Sequence, residues 1–129
     1  MDPQEYKMNR DELLRHHDKL TATAKEIMKQ KNHDYAGEKG DSPFANFQRT
    51  ELMGVCSTEQ GFLVRVIDKV SRLSTFVSAG ELKVDNEGYD DAILDIINYM
   101  ILFSAFVEDK NEQTKNSIEK RPPQYRNYE

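Results

Sequence analysis

The chain of 129 residues has no tryptophan, one cysteine, six glycines and four prolines. A single cysteine excludes an internal disulfide, and Cys56 has no CxxC partner for zinc, which agrees with a reducing compartment. Long apolar runs are missing too. The most hydrophobic stretch, residues 93–107, is broken by Asp95, Asn98 and Ser104 and falls short of the ~20 residues that a membrane helix needs. Residues 1–31 are polar and charged from the start, so no secretory leader is expected and a cytoplasmic location follows. A basic excess is also absent: 18 Lys and Arg stand against 23 Asp and Glu, a net charge of −5. That balance disfavours a nucleic-acid polymer as partner. Any affinity for phosphate has to come from a local basic cluster or a metal ion.

What is present reads as one wet-surfaced globular domain, with 37% hydrophobic and 32% charged residues. The expected division is a domain over 1–109 and a polar tail over 110–129, where Pro122 and Pro123 bar a helix. The periodicity is helical throughout. Asn9 and Glu12 form a capping-box pattern opening a first helix that should run to about Lys31, with Leu13, His17, Leu20, Ala24 and Ile27 on one face. Residues 32–48 hold Gly37, Gly40 and Pro43 and are expected to be a long functional loop, followed by a helical turn near 49–55. Ser57 and Gln60 cap the next helix, about 59–79, which Gly80 ends; its expected buried face is Phe62, Val66, Val70, Leu73 and Val77. The last helix, about 86–109, is apolar nearly all round. The fold expected is therefore all-α, a bundle of three main helices with a long loop, completed by assembly into a dimer or tetramer.

Candidate chemistry lies on the two long helices. Glu87, Asp91, Asp95 and Asn98 follow at spacings of four, four and three, so one helix face carries three carboxylates and an amide. Asp95, among Leu94, Ile96 and Ile97, should be at least partly buried and so needs a cation. Mg²⁺ or Mn²⁺ suits carboxylates that also meet phosphate oxygens. The alternative is an ion pair between Asp95 and a base on the facing helix, with Glu87 and Asp91 serving the helix N-terminus. That facing helix offers Arg65, Asp68, Lys69 and Arg72, either as interhelical salt bridges or with Asp68 joining a metal shell while Lys69 and Arg72 take phosphate. The loop adds Lys31, Asn32, Asp34 and Tyr35, then Phe44, Asn46 and Phe47, which suit a nucleoside or plug the bundle. His16, His17 and Cys56 lack the neighbours that ligation or nucleophilic chemistry would require.

Three blocks carry a family resemblance: KNHDYAGEKGDSPFANF at 31–47, GFLVRVIDKVSRL at 61–73 and NEGYDDAILDIINY at 86–99. In this order they resemble the phage and bacterial family named nucleotide modification associated domain 1 (DUF1599). That family is similar to the all-α nucleoside triphosphate pyrophosphatases of the MazG and dimeric dUTPase group, which bind Mg²⁺ with acidic helices. The resemblance implies hydrolysis of a deoxynucleoside triphosphate to monophosphate and pyrophosphate. Asp91 and Asp95 would hold Mg²⁺ with Glu87 or Asp68, Lys69 and Arg72 would stabilise the leaving charge, and Lys31, Asn32, Asp34, Tyr35, Asn46, Phe47, Arg65 and Asn98 would hold the nucleotide. The full four-carboxylate set of the pyrophosphatases is not present, since the first of the two helices supplies only Asp68. Binding or sequestering a nucleotide or nucleotide-like signal, without turnover, is therefore the rival expectation.

Overall fold

The computed structural model describes residues 5–36, 42–80 and 87–120, with the backbone alone at 32–36 and at Glu87. Of the described residues 86% are helical and none lies in a strand. The helices are α1 (Arg10–Ala36), α2 (Ala45–Leu52), α3 (Thr58–Ala79) and α4 (Glu87–Glu119). α4 packs along α3 and against α1, while α2 lies across α3 and touches α1.

Three boundaries move from the sequence reading. α1 continues five residues past Lys31, and α2 starts at Ala45, so the expected loop has a helix at each end. The expected turn at 49–55 is the end of α2 and the corner after it. α4 runs ten residues past Asp109. That extension is polar but has local support: Thr114 Oγ1 donates to the Lys110 carbonyl (3.0 Å), and Lys110 Nζ reaches Glu59 Oε2 on α3 (2.9 Å). Pro122, Pro123, Tyr125 and Tyr128 lie outside the described residues.

The capping signals hold. The Glu12 amide donates to Asn9 Oδ1 at 2.9 Å, and Ser57 with Gln60 forms a reciprocal capping box. Gly80 closes α3 at φ 68°, a left-handed conformation that a side chain would strain. The α2–α3 corner is fixed by Glu51, whose Oε2 accepts from the Thr58 hydroxyl (2.6 Å) and amide (3.2 Å), placing a carboxylate at the α3 N-terminus.

The core is small and aromatic. Phe47 of α2 stacks on Phe62 of α3 with centroids 4.4 Å apart; Tyr99 meets Phe47 and Phe103 meets Phe62 edge-on. Leu102 and Phe44 complete the cluster. Each fully buried ring contributes about 2–3 kcal/mol. On α1 burial begins near Leu20, and residues 10–19 are all exposed, including Leu13 and His17 of the expected core face. On α3 the inward residues are Phe62, Val66, Lys69, Leu73 and Phe76, so Lys69 and Phe76 replace the expected Val70 and Val77. The reason is electrostatic at one position: Lys69 is drawn inward by a carboxylate on α4.

Candidate functional site: a cationic pocket around Asp95

That carboxylate is Asp95. Its helix position, one turn before the buried Asn98 and two before Leu102, aims it at the junction of α1, α3 and α4, and its side chain is 14% exposed. Lys69 Nζ of α3 approaches Oδ2 at 3.0 Å and Lys31 Nζ of α1 approaches Oδ1 at 3.1 Å. Burial pushes the Asp95 carboxyl up, but the hydrogen bonds and charges of Lys69 and Lys31 outweigh that and hold it below the usual carboxylate range. One carboxylate thus meets two lysines, one from each of two other helices.

A pocket of about 370 Å³ opens beside the pair, lined by Ile27, Gln30, Lys31, Lys69, Arg72, Asp91, Leu94 and Asp95. Five of the sequence-predicted residues, Lys31, Lys69, Arg72, Asp91 and Asp95, therefore meet in one place. Among the described residues that line it are three cations and two carboxylates, from three helices. Asp91, one turn before Asp95, makes no ion pair among the described residues.

Other predicted residues fall elsewhere. Asp68 lies on the outer side of α3, where its Oδ2 meets Arg72 Nε at 3.5 Å, and it does not line the pocket. Arg65 sits over the Phe47 ring, 4.6 Å from its centroid, and Phe47 is fully buried against Phe62, so this ring is a core element rather than a platform for a base. Asn46 Oδ1 accepts from Arg49 on α2. Asn98 is buried and ties α4 to α1 through a 2.9 Å bond from Nδ2 to the Ala24 carbonyl, while its Oδ1 is buried without a partner among the described residues. The side chains of Asn32, Asp34, Tyr35 and Glu87 lie outside the described residues; their backbones are helical.

Among the described residues no group of three or more His, Cys, Asp or Glu could hold a metal. Among the described side chains of the pocket, Asp91 and Asp95 are the two carboxylates, too few for a protein-only cage and enough for an ion shared with phosphate oxygens. Gln30 was missed by the sequence reading, which had Ile27 only as a core-face residue and Leu94 only as an apolar neighbour of Asp95. Gln30 stands three residues after Ile27 and beside Lys31, a spacing that could have marked it.

A larger groove, about 490 Å³, runs between α2 and the second half of α4. The one cation among its described lining residues, Lys110, is paired with Glu59 and sits beside Glu51 and Asp109, an acidic lining that disfavours phosphate. The fold and the pocket define an all-α helical protein with a pocket where two lysines meet a half-buried aspartate. Comparison with protein families, with curated proteins and with solved structures finds no match. Among the described residues, no helix is long and apolar enough to cross a membrane.

Proposed function

We propose that this protein binds a nucleotide through its phosphates at the Asp95 pocket. The observation that carries the reading is the convergence of Lys31 and Lys69, from two helices, on one carboxylate, with Arg72 at the same pocket. Lysines held this way are positioned before any ligand arrives, and an incoming phosphate exchanges with Asp95 for partners already in place. The base and sugar go to the end of α1, where Asn32, Asp34 and Tyr35 follow Lys31. A polyphosphate carries several negative charges, and Mg²⁺ or Mn²⁺ between Asp91 and the phosphate oxygens would balance those that the lysines and Arg72 do not. This is the chemistry expected of a relative of the nucleotide modification associated family, working as a homo-oligomer in the cytoplasm, where nucleotide pools lie.

A second reading, hydrolysis of a deoxynucleoside triphosphate to monophosphate and pyrophosphate, has Asp91 in its favour, as a pocket carboxylate that no lysine among the described residues engages. One experiment separates the two. Each dNTP and inorganic pyrophosphate is titrated calorimetrically with and without Mg²⁺, while monophosphate and pyrophosphate are followed in the same samples. Binding without product is the expected result, weakened by roughly 10–100-fold in Lys69→Ala, the worth of one charged hydrogen bond. Product formation that depends on Asp91 establishes the hydrolase reading. Absence of any binding at millimolar ligand sinks both.

A further inference from the structure

Among the described residues two polar side chains are buried, Thr58 and Asn98. Thr58 is accounted for, since its hydroxyl donates to Glu51 at the α2–α3 corner. Asn98, 7% exposed, is less well served. Its Nδ2 donates to the Ala24 carbonyl at 2.9 Å, while its Oδ1 is buried with no partner among the described residues. The Ala24 carbonyl lies inside α1, where the helix's own ladder already uses it. The bond therefore rescues no orphaned acceptor, and the unpaired Oδ1 costs at least as much as one added bond contributes. For stability alone, an apolar side chain of the same size would serve better.

The amide earns its place by geometry. Asp95 and Asn98 share a face of α4, and both reach α1: Asn98 at Ala24, Asp95 at Lys31. α1 and α4 therefore run antiparallel, with Ala24 and Lys31 seven residues apart and Asp95 and Asn98 three apart. The two rises differ by about 6 Å, so Lys31 leans back along α1 to meet Asp95. A slide or twist of α1 by a fraction of a turn takes its ammonium beyond hydrogen-bond range. Residues 10–19 of α1 are all exposed, so its seat on α4 begins only near Leu20, and Ala24 is its most buried described side chain. Lys69 stands on other support. It comes from α3, which packs along α4 through the aromatic core.

We propose that Asn98 is a positioning residue: by holding the Ala24 carbonyl it fixes the register of α1 on α4 and so sets Lys31 at Asp95, without touching the ligand. Its purpose rests on the phosphate reading of the pocket; its geometry does not. Asn98 does not line that pocket. A buried polar group that weakens the fold but selects one arrangement of two helices is the kind of part this describes.

The test uses the full chain as wild type, Asn98→Leu, Lys31→Ala and the two combined, with inorganic pyrophosphate titrated calorimetrically and melting recorded. Asn98→Leu should keep or exceed the wild-type midpoint yet weaken pyrophosphate about 10-fold, as Lys31→Ala does, and the combination should weaken it no further. A second readout needs no ligand: the rate at which an amine-acylating reagent modifies each lysine, followed by peptide mass spectrometry. Lys31 should react several-fold faster in Asn98→Leu, and Lys69 at its wild-type rate. Wild-type affinity in Asn98→Leu, or an unchanged Lys31 rate, overturns the proposal. So do losses that multiply in the combined variant, which place Asn98 on the ligand itself, and equal acceleration of Lys31 and Lys69 with a lowered midpoint, which marks general packing. If wild type binds no pyrophosphate, the phosphate reading fails and the labelling rates alone decide what Asn98 does to Lys31. Should Asn98→Leu not fold, Asn98→Ala carries the same expectations apart from the midpoint.

Discussion

Asp95 is under two opposing influences, burial that favours its neutral form and two lysines that favour the charged one, and the lysines win. Its folded value lies below the ordinary one, so the stabilisation is present at neutral pH and is lost as pH falls from roughly 4 through the depressed value. Wild-type stability should therefore drop between about pH 5 and pH 2 by more than that of Asp95→Asn, measured by urea unfolding across that range. Parallel curves would remove Asp95 as a determinant. The same variant should cost about 1–3 kcal/mol at pH 7, because Lys69, 16% exposed, loses its partner. It should also bind metal-free nucleotide more tightly than wild type, since Asp95 no longer competes for Lys31 and Lys69. Weaker binding in Asp95→Asn would instead mark Asp95 as a group that the ligand or its metal needs.

At the scale of elements, α3 joins the aromatic core to the pocket, and its start is held by the Ser57–Gln60 box and by Glu51 on Thr58. Ser57→Ala should cost about 1 kcal/mol and lower the melting midpoint by roughly 4 °C. An unchanged midpoint would mean that Glu51 alone holds the α3 N-terminus. On the proposed nucleotide reading, Asp91 on α4 would hold a metal ion only in company with phosphate oxygens. Manganese added to the protein alone should accordingly remain free in its electron spin resonance spectrum and become immobilised when nucleotide is present. Tight retention of Mn²⁺ by the protein alone would place further ligands around Asp91.

For the whole molecule, α1 and α2 cover one side of the α3–α4 pair and leave the other apolar. The pocket lies on the covered side, at the junction of α1, α3 and α4.

The helices, their caps and the all-α class were legible in the sequence, because Asn9, Ser57, Gln60 and Gly80 act on backbone groups within a turn of themselves. The α4 face shared by Asp91, Asp95 and Asn98 was legible too, since spacing along one helix fixes which side chains lie together, and Asp95 among apolar neighbours announced a partly buried charge. Only tertiary structure decided which partners that charge takes. Lys31 lies 64 residues from Asp95, and no local pattern relates them. The same holds for α3, where two apolar stripes overlap in sequence: whether Val70 or Lys69 turns inward depended on what α4 placed opposite. Phe47, readable as a base platform or as core, became core because Phe62 and Arg65 close over it. Local periodicity specifies a face, and the packing of other elements determines what that face meets.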